Sequence, residues 1–266
     1  LAIADVGDEI ILPAPFYFNH EMAVTMLGCT PVVAPTDKNH QLDLDALRSA
    51  ITERSRAIVT ISPNNPSGVV YPKKDLQAVT ALCREFGLFH ISDEAYEYFT
   101  FDGASHFSPG SAKDVDEHVI SLFSLSKAYG FASWRIGYMV TPPQLIDAVK
   151  KIQDTNLICP PVVSQFAALE AIRTGRAYCE EKLTDVRDVR NLVIERLAGW
   201  EKFATIAPAK GAFYFLLKIK TGLDSLSVTQ RLIEEYKVAV IPGSAFGLIE
   251  NCFLRIAYGV LDRSTC

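Results

Sequence analysis

Long apolar runs, clusters of basic residues and paired cysteines are all missing from this chain, and each absence excludes a class of protein. No apolar run approaches the roughly 20 residues that a membrane-spanning helix needs, so no membrane span is expected. The formal net charge is -5, and Lys and Arg nowhere cluster, which argues against a nucleic-acid or anionic-membrane partner. The six cysteines, Cys29, Cys83, Cys159, Cys179, Cys252 and Cys266, are scattered, with no C-x-x-C pair and no Cys/His metal spacing. Most read as small buried hydrophobes, and a cytoplasmic setting is the default. Internal repeats and low-complexity tracts are absent too. The start Leu1-Ala2-Ile3-Ala4-Asp5 has neither an initiating Met nor a basic segment. The expectation is a piece of a longer soluble protein, cut at both ends.

What is present is a core. With 266 residues and 49% hydrophobic content, the chain can bury one large domain or two smaller ones. Short apolar runs alternate with amphipathic segments, which predicts an α/β fold with a mainly parallel sheet between helices. Strands are expected at Glu9 to Leu12, Pro31 to Pro35, Arg56 to Ser62, Leu88 to Ser92, His118 to Phe123 and Ile136 to Val140. Between them, helices are expected at Asn19 to Leu27, over Leu44, Leu47 and Ile51 behind an Asp43 cap, and at Lys73 to Phe86 before Gly87. From Gln144 to about Trp200 the period becomes 3.6, with breaks near Pro160-Pro161 and Gly175. Strands at Ala212 to Ile219, Val238 to Ile241 and Cys252 to Ala257, with a helix at Ser227 to Tyr236, predict a smaller α+β domain. The expected division is 1–175 for the large domain and 176–266 for a connecting helix and the small one.

In open parallel sheets, ligands sit beyond the carboxyl ends of the strands. Asn65, Asp93, Tyr96, Ser124 and Lys127 all fall there. Lys127 lies between serines at a strand exit with Arg135 eight residues on, a nucleophilic amine beside an anion site. By itself Lys127 reads as a solvated surface group, and Asp93 as a helix cap. Read together, the residue types suit a cofactor with a ring nitrogen, a phenolic oxygen and a phosphate. A carboxylate would keep the nitrogen protonated, neutral donors would meet the oxygen, and Arg with hydroxyls would hold the phosphate. Arg255 lies in the apolar run Cys252-Phe253-Leu254-Arg255-Ile256-Ala257, where an unpaired guanidinium is costly. An internal salt bridge and a carboxylate-binding role both stand.

The stretch Ser124-Leu125-Ser126-Lys127 through Trp134-Arg135-Ile136-Gly137 resembles the lysine signature of class I aminotransferases, the fold type I enzymes that use pyridoxal 5'-phosphate. The resemblance runs from Gly7-Asp8-Glu9 to Arg255-Ile256-Ala257-Tyr258 and implies a seven-stranded-type sheet. Ser133 departs from the pattern, which usually has Gly, Asn, Ala or Arg there. The resemblance implies that Lys127 forms a Schiff base with the cofactor and shuttles the proton between Cα and C4'. It places Asp93 against the pyridinium, Asn65 and Tyr96 on the phenolic oxygen, and Ser124 and Arg135 on the phosphate. Tyr17 would stack on the ring, although a buried core aromatic is the other reading, and Arg255, with Asn65, would bind the substrate.

The activity so implied is transamination between an amino acid and a 2-oxo acid, in a ping-pong route. A carbon-sulfur β-lyase, an aminocyclopropane-carboxylate synthase-like enzyme and a non-catalytic sensor domain are the alternatives. Phe16, Tyr17 and Phe131 lean towards aromatic or aliphatic substrates. A homodimer with active sites near its interface is implied. So are upstream parts, a phosphate-binding turn and a partner-subunit tyrosine among them, and a final helix. The stretch alone is accordingly expected to turn over weakly or not at all.

Overall fold

The computed structural model describes residues 1–112, 117–262 and 264. The first half builds one sheet from β1 (Glu9–Pro13), β2 (Thr30–Ala34), β3 (Ser55–Ile61), β4 (Phe89–Asp93), β5 (Val119–Ser124) and β6 (Gly137–Val140). The helices α1 (Phe18–Met26), α2 (Leu44–Ser49), α3 (Lys73–Phe86) and α4 (Leu125–Ala128) connect or follow these strands. The strand order is β2-β1-β3-β4-β5-β6, parallel throughout except that β6 runs antiparallel to β5. The mainly parallel fold class therefore stands, with six strands among the described residues.

Burial follows the two-residue period of a strand. Ile11 and Ile58 pack with Leu47, Leu76, Val79 and Leu82 of α2 and α3 on one face. Their neighbours Ile10, Leu12, Ala57 and Val59 pack with Phe16 and Val24 on the other. Every position of β1 is buried for that reason, as expected for a strand covered on both sides. Local chemistry sets the helix ends. Asp43 accepts hydrogen bonds from the backbone N–H groups of Asp45 and Ala46 at 3.1 and 3.0 Å, capping α2. Gly87 adopts φ 66° after α3, a conformation that costs glycine little.

Next come α5 (Ile146–Asn156), α6 (Val162–Thr174) and the long α7 (Arg176–Leu197). A second sheet is then formed by β7 (Ala204–Ile206), β8 (Tyr214–Ile219), β9 (Ile241–Pro242) and β10 (Phe253–Ala257), with α8 (Ser225–Tyr236) between β8 and β9. Its order is β7-β8-β10-β9 and every pairing is antiparallel. Val189 and Val193 of α7 cover one face, against Phe215 and Leu217. Val228 and Leu232 of α8 pack beside them on the same face, with Cys252 and with Leu254, which pairs directly with Leu217.

The strand expected at Val238 to Ile241 is displaced. Lys237 turns left-handed at φ 60° and the Val238 N–H returns to the Leu232 carbonyl, so these residues close α8 and pairing starts only at Ile241. Ile51 lies outside α2, which ends at Ser49. The cysteines behave as expected, with Cys29, Cys83, Cys179 and Cys252 buried and unpaired. Cys159 is the exception and is exposed, while Cys266 lies outside the described residues. No helix among the described residues is long and apolar enough to cross a membrane.

A backbone seam joins the two sheets. Phe101 N–H donates to the Lys210 carbonyl at 2.8 Å, Gly211 N–H to Gly68 at 2.8 Å, and Ala212 N–H to Phe99 at 2.9 Å. Beside it the buried Arg190 guanidinium lies 2.6 Å from Asp102 and donates to the Ala209 carbonyl at 2.8 Å. This seam brings the start of β8 to the carboxyl ends of β3 and β4.

Candidate active site

The carboxyl ends of β3, β4 and β5 open onto a cavity of about 500 Å³, and each residue expected to contact the cofactor or bind the substrate carboxylate lines it. Asn65 is presented by a loop that Asn64 ties together. The Asn64 side-chain oxygen accepts from the Ser67 backbone N–H at 3.0 Å and from the Ser67 hydroxyl at 2.7 Å. Asn65 in turn accepts from Arg255 Nη1 at 2.8 Å through its side-chain oxygen. That bond fixes which way the carboxamide faces and leaves its NH₂ group 3.5 Å from the Tyr96 hydroxyl.

Asp93 ends β4 and is followed by a turn, not by the helix it was read as capping. Oδ1 accepts from the Ala95 N–H at 3.1 Å, a turn-capping bond. Oδ2 lies 3.1 Å from His20 Nε2 on α1 and borders the cavity. The other ring nitrogen of His20 is buried without a partner. Neither His20 nor this contact stood out in the sequence.

Tyr96 is 5% exposed, and its hydroxyl sits 2.8 Å from that of Tyr214 on β8. Burial is the main cause that pushes the Tyr96 phenol far above the ordinary tyrosine range, so it remains protonated. Ser124 caps α4, its hydroxyl oxygen accepting from the Ser126 N–H at 3.2 Å. Lys127 lies on α4 with Nζ 5.9 Å from the centre of the Phe213 ring.

Arg135 follows a short turn at Ala132–Trp134 and adopts φ 53°, ψ 50°. Its Nη1 donates to the Ala132 carbonyl at 2.8 Å, which folds the side chain back over the turn. Ser133 sits inside this turn without a positive φ; the left-handed residues nearby are Gly130 and Arg135. The departure from the family pattern is therefore accommodated.

The two readings of Arg255 can now be separated. Among the described residues no carboxylate lies within ion-pair distance of its guanidinium, so an internal salt bridge is not the arrangement. The guanidinium carbon stands 4.5 Å from the Tyr214 ring centre and 5.2 Å from that of Phe246, and Nε is buried with no partner. A half-buried cation with an unused donor edge suits a planar carboxylate.

Tyr17 is half-buried and lines the cavity, with its ring 4.8 Å from Phe18. The core aromatic of this segment is Phe16, at 3% exposure. The apolar wall differs from expectation in consequence. Phe18 and Phe123 line the cavity, whereas Phe16 belongs to the core and Phe131 stacks on Trp134.

A family model described as aminotransferase class I and II matches residues 1–266. The chain belongs to this family. An aromatic-amino-acid aminotransferase of Thermococcus litoralis is 36% identical over 95% of this chain, which covers 66% of that protein. An aspartate aminotransferase of Pyrococcus abyssi is 37% identical, again over 95% of this chain and 66% of its own length. The chain thus spans just under two-thirds of these relatives. Among solved structures, the aromatic aminotransferase of Pyrococcus horikoshii matches with a TM-score of 0.92 at 34% identity, covering 98% of this chain and 70% of that one. Aspartate aminotransferase from Thermus thermophilus with maleate matches at 0.90 and 33%, covering 98% and 68%. The fold is accordingly fold type I, with a small antiparallel-sheet domain.

Membership in this family implies pyridoxal 5'-phosphate, and the residues present fit it. The cavity gathers the cations Lys127, Arg135 and Arg255 around the carboxylate of Asp93. Such a balance suits a ligand carrying a phosphate, a carboxylate and one basic ring nitrogen. The unpartnered Nε of Arg255 is a further donor awaiting an anion.

Proposed function

We propose that this chain forms the catalytic part of a pyridoxal-phosphate-dependent aminotransferase that moves an amino group between an amino acid and a 2-oxo acid. The observation that carries the proposal is the convergence of Lys127, Asp93, Asn65, Tyr96, Arg135 and Arg255 on one cavity. When bound, pyridoxal phosphate supplies an electron-withdrawing ring that makes the Cα–H of an attached amino acid acidic. Asp93, oriented by His20, keeps the ring nitrogen protonated. Asn65 and Tyr96 direct donors at the phenolic oxygen, Ser124 and Arg135 hold the phosphate, and Tyr17 covers the ring face. Lys127 would hold the cofactor, and its amine would take up the proton released from the substrate's Cα. Arg255 receives the substrate carboxylate in bidentate fashion, which fixes the Cα–H relative to Lys127.

The large domain is assigned to 1–175, and the connecting helix and small domain to 176–266. The backbone seam and the Asn65–Arg255 bond support a site built from both. A cytoplasmic homodimer acting on amino acids is the corresponding whole-protein reading, and relatives named for aspartate and aromatic amino acids support its substrate class.

The test is spectral. Full-length protein loaded with pyridoxal phosphate is expected to show a visible band that changes on adding an amino acid and returns on adding a 2-oxo acid. Lys127→Ala is expected to lose it, and borohydride is expected to label Lys127. Breakdown of an amino acid to pyruvate with no oxo-acid acceptor would overturn the transaminase reading in favour of a lyase.

A further inference from the structure

Tyr214 opens β8 and is 6% exposed, and its phenol touches two groups of the site at once. The hydroxyl lies 2.8 Å from that of Tyr96, and the ring face carries the Arg255 guanidinium at 4.5 Å. Nothing in the sequence reading gave it a role.

One proton lies between the two hydroxyls, and its position decides what Tyr96 can do. A phenol has one proton to give and two lone pairs to receive with. If Tyr96 gave its proton to Tyr214, it would have none left for a ligand. If Tyr214 gives its own, the Tyr96 oxygen accepts it, and the Tyr96 O–H is free to point into the cavity. The Asn65 NH₂ group adds to this second arrangement, because it also approaches the Tyr96 oxygen as a donor, at 3.5 Å.

The surroundings favour the second arrangement. A cation against the Tyr214 ring makes that phenol the readier donor. Burial first, and then the Tyr214 contact and the Asp93 charge, push Tyr96 upward, with the Arg255 charge acting against them. Burial pushes Tyr214 upward too, and the bond to Tyr96 and the charge of Arg255 act against it.

We propose that Tyr214 is a positioning residue: it donates to Tyr96, so that the Tyr96 proton serves an anionic oxygen in the cavity, and it supports Arg255 on its ring for carboxylate binding. The proposal rests on the cofactor reading above, in which that anionic oxygen is the phenolic oxygen of pyridoxal phosphate. Tyr214 thereby links the cofactor donor to the substrate anchor through one side chain.

The experiment uses the full-length holoprotein and reads the pH midpoint of the visible cofactor band together with the Kd of unreactive carboxylates, succinate and 3-phenylpropanoate. A donor to the phenolic oxygen stabilises its anionic form, so weakening that donor raises the midpoint. Tyr214→Phe keeps the ring and loses the proton. Its midpoint is expected to rise by about 0.5 to 1 pH unit, the size of one hydrogen bond, with carboxylate Kd unchanged. Tyr214→Leu is expected to show the same rise and a roughly two- to fivefold weaker carboxylate Kd, from the lost ring face.

Tyr96→Phe alone and Tyr96→Phe with Tyr214→Phe are expected to share one midpoint, since Tyr214 acts through Tyr96. Tyr214 as mere packing predicts an unmoved midpoint in Tyr214→Phe, and that result would overturn the proposal, as would additive shifts in the double variant. A native protein with no band sensitive to Lys127→Ala would instead remove the cofactor reading, and this inference with it.

Discussion

Arg255 and Asn65, 190 residues apart in the chain, are joined by a 2.8 Å bond from Nη1 to the carboxamide oxygen. The acceptor is neutral, so the guanidinium keeps its full charge for a ligand. Replacing Asn65 by Asp would complete an internal ion pair and spend that charge inside the protein. Asn65→Asp is therefore expected to raise KM for the amino acid more than Asn65→Ala, for which roughly tenfold is expected from the lost charged hydrogen bond. Steady-state kinetics on both variants check the order, and an Asp variant that binds as well as the native protein would contradict it.

His20 offers a second test. Its Nε2 holds one oxygen of Asp93 at 3.1 Å, while Nδ1 is buried without a partner. His20→Phe removes the bond and keeps an aromatic ring of similar breadth. Pyridoxal phosphate is expected to bind roughly tenfold more weakly, as for one hydrogen bond to a charged group. Equilibrium dialysis reads this directly, and Asp93→Asn is expected to weaken binding further.

Glu97 governs a pH effect on stability. Burial pushes its carboxyl up to about 7 from 4.5, with Glu94 adding to the rise and His106 and Arg176 opposing it. The native state thus keeps a proton that the unfolded chain has released across that interval. Folding binds a proton there, so this contribution to stability is lost as pH rises from about 4.5 to about 7. Glu97→Gln is expected to match the native protein near the lower limit and exceed it at pH 8 by roughly 1 to 2 kcal/mol, allowing for partial solvent screening. Thermal melts at the two pH values measure the difference.

Gly68 stands where no side chain fits. Its φ is +72°, and an added Cβ would lie 2.6 Å from the Tyr214 carbonyl oxygen and 2.8 Å from the Ala209 Cβ. Gly68→Ala is expected to cost about 2 kcal/mol or more in urea unfolding, from the backbone conformation and the clash together. Because Tyr214 is displaced, cofactor binding is expected to weaken as well.

Periodicity made most elements legible. The run from Lys73 to Phe86 with Gly87 behind it became α3 with those bounds, and Asp43 became the cap it was read as. β7 was missed because Ala204–Ile206 is too short for any period to register. Lys127, Asp93, Asn65 and Arg255 were legible because each is a polar residue at a strand exit or inside an apolar strand, where burial has to be justified chemically. His20 was not, since one histidine in a helix reads as ordinary, and its partner lies far along the chain. Tyr214 hid for the opposite reason: tyrosine is common in strands, and the run around it is aromatic throughout. A hydroxyl beginning a strand whose first four residues are buried was the available signal.

The three backbone bonds linking residues 99–101 and 68 to 210–212 also constrain how the molecule can breathe. A gate swings about the post it is pinned to, and here the pins lie next to Tyr96 and Tyr214. A further pin, from the Phe16 N–H to the Phe246 carbonyl at 3.2 Å, fastens the chain just beyond β9, so the β8 sheet is held at two places and its swing is limited. The hydroxyl pair sits at one of those two places and keeps its spacing there.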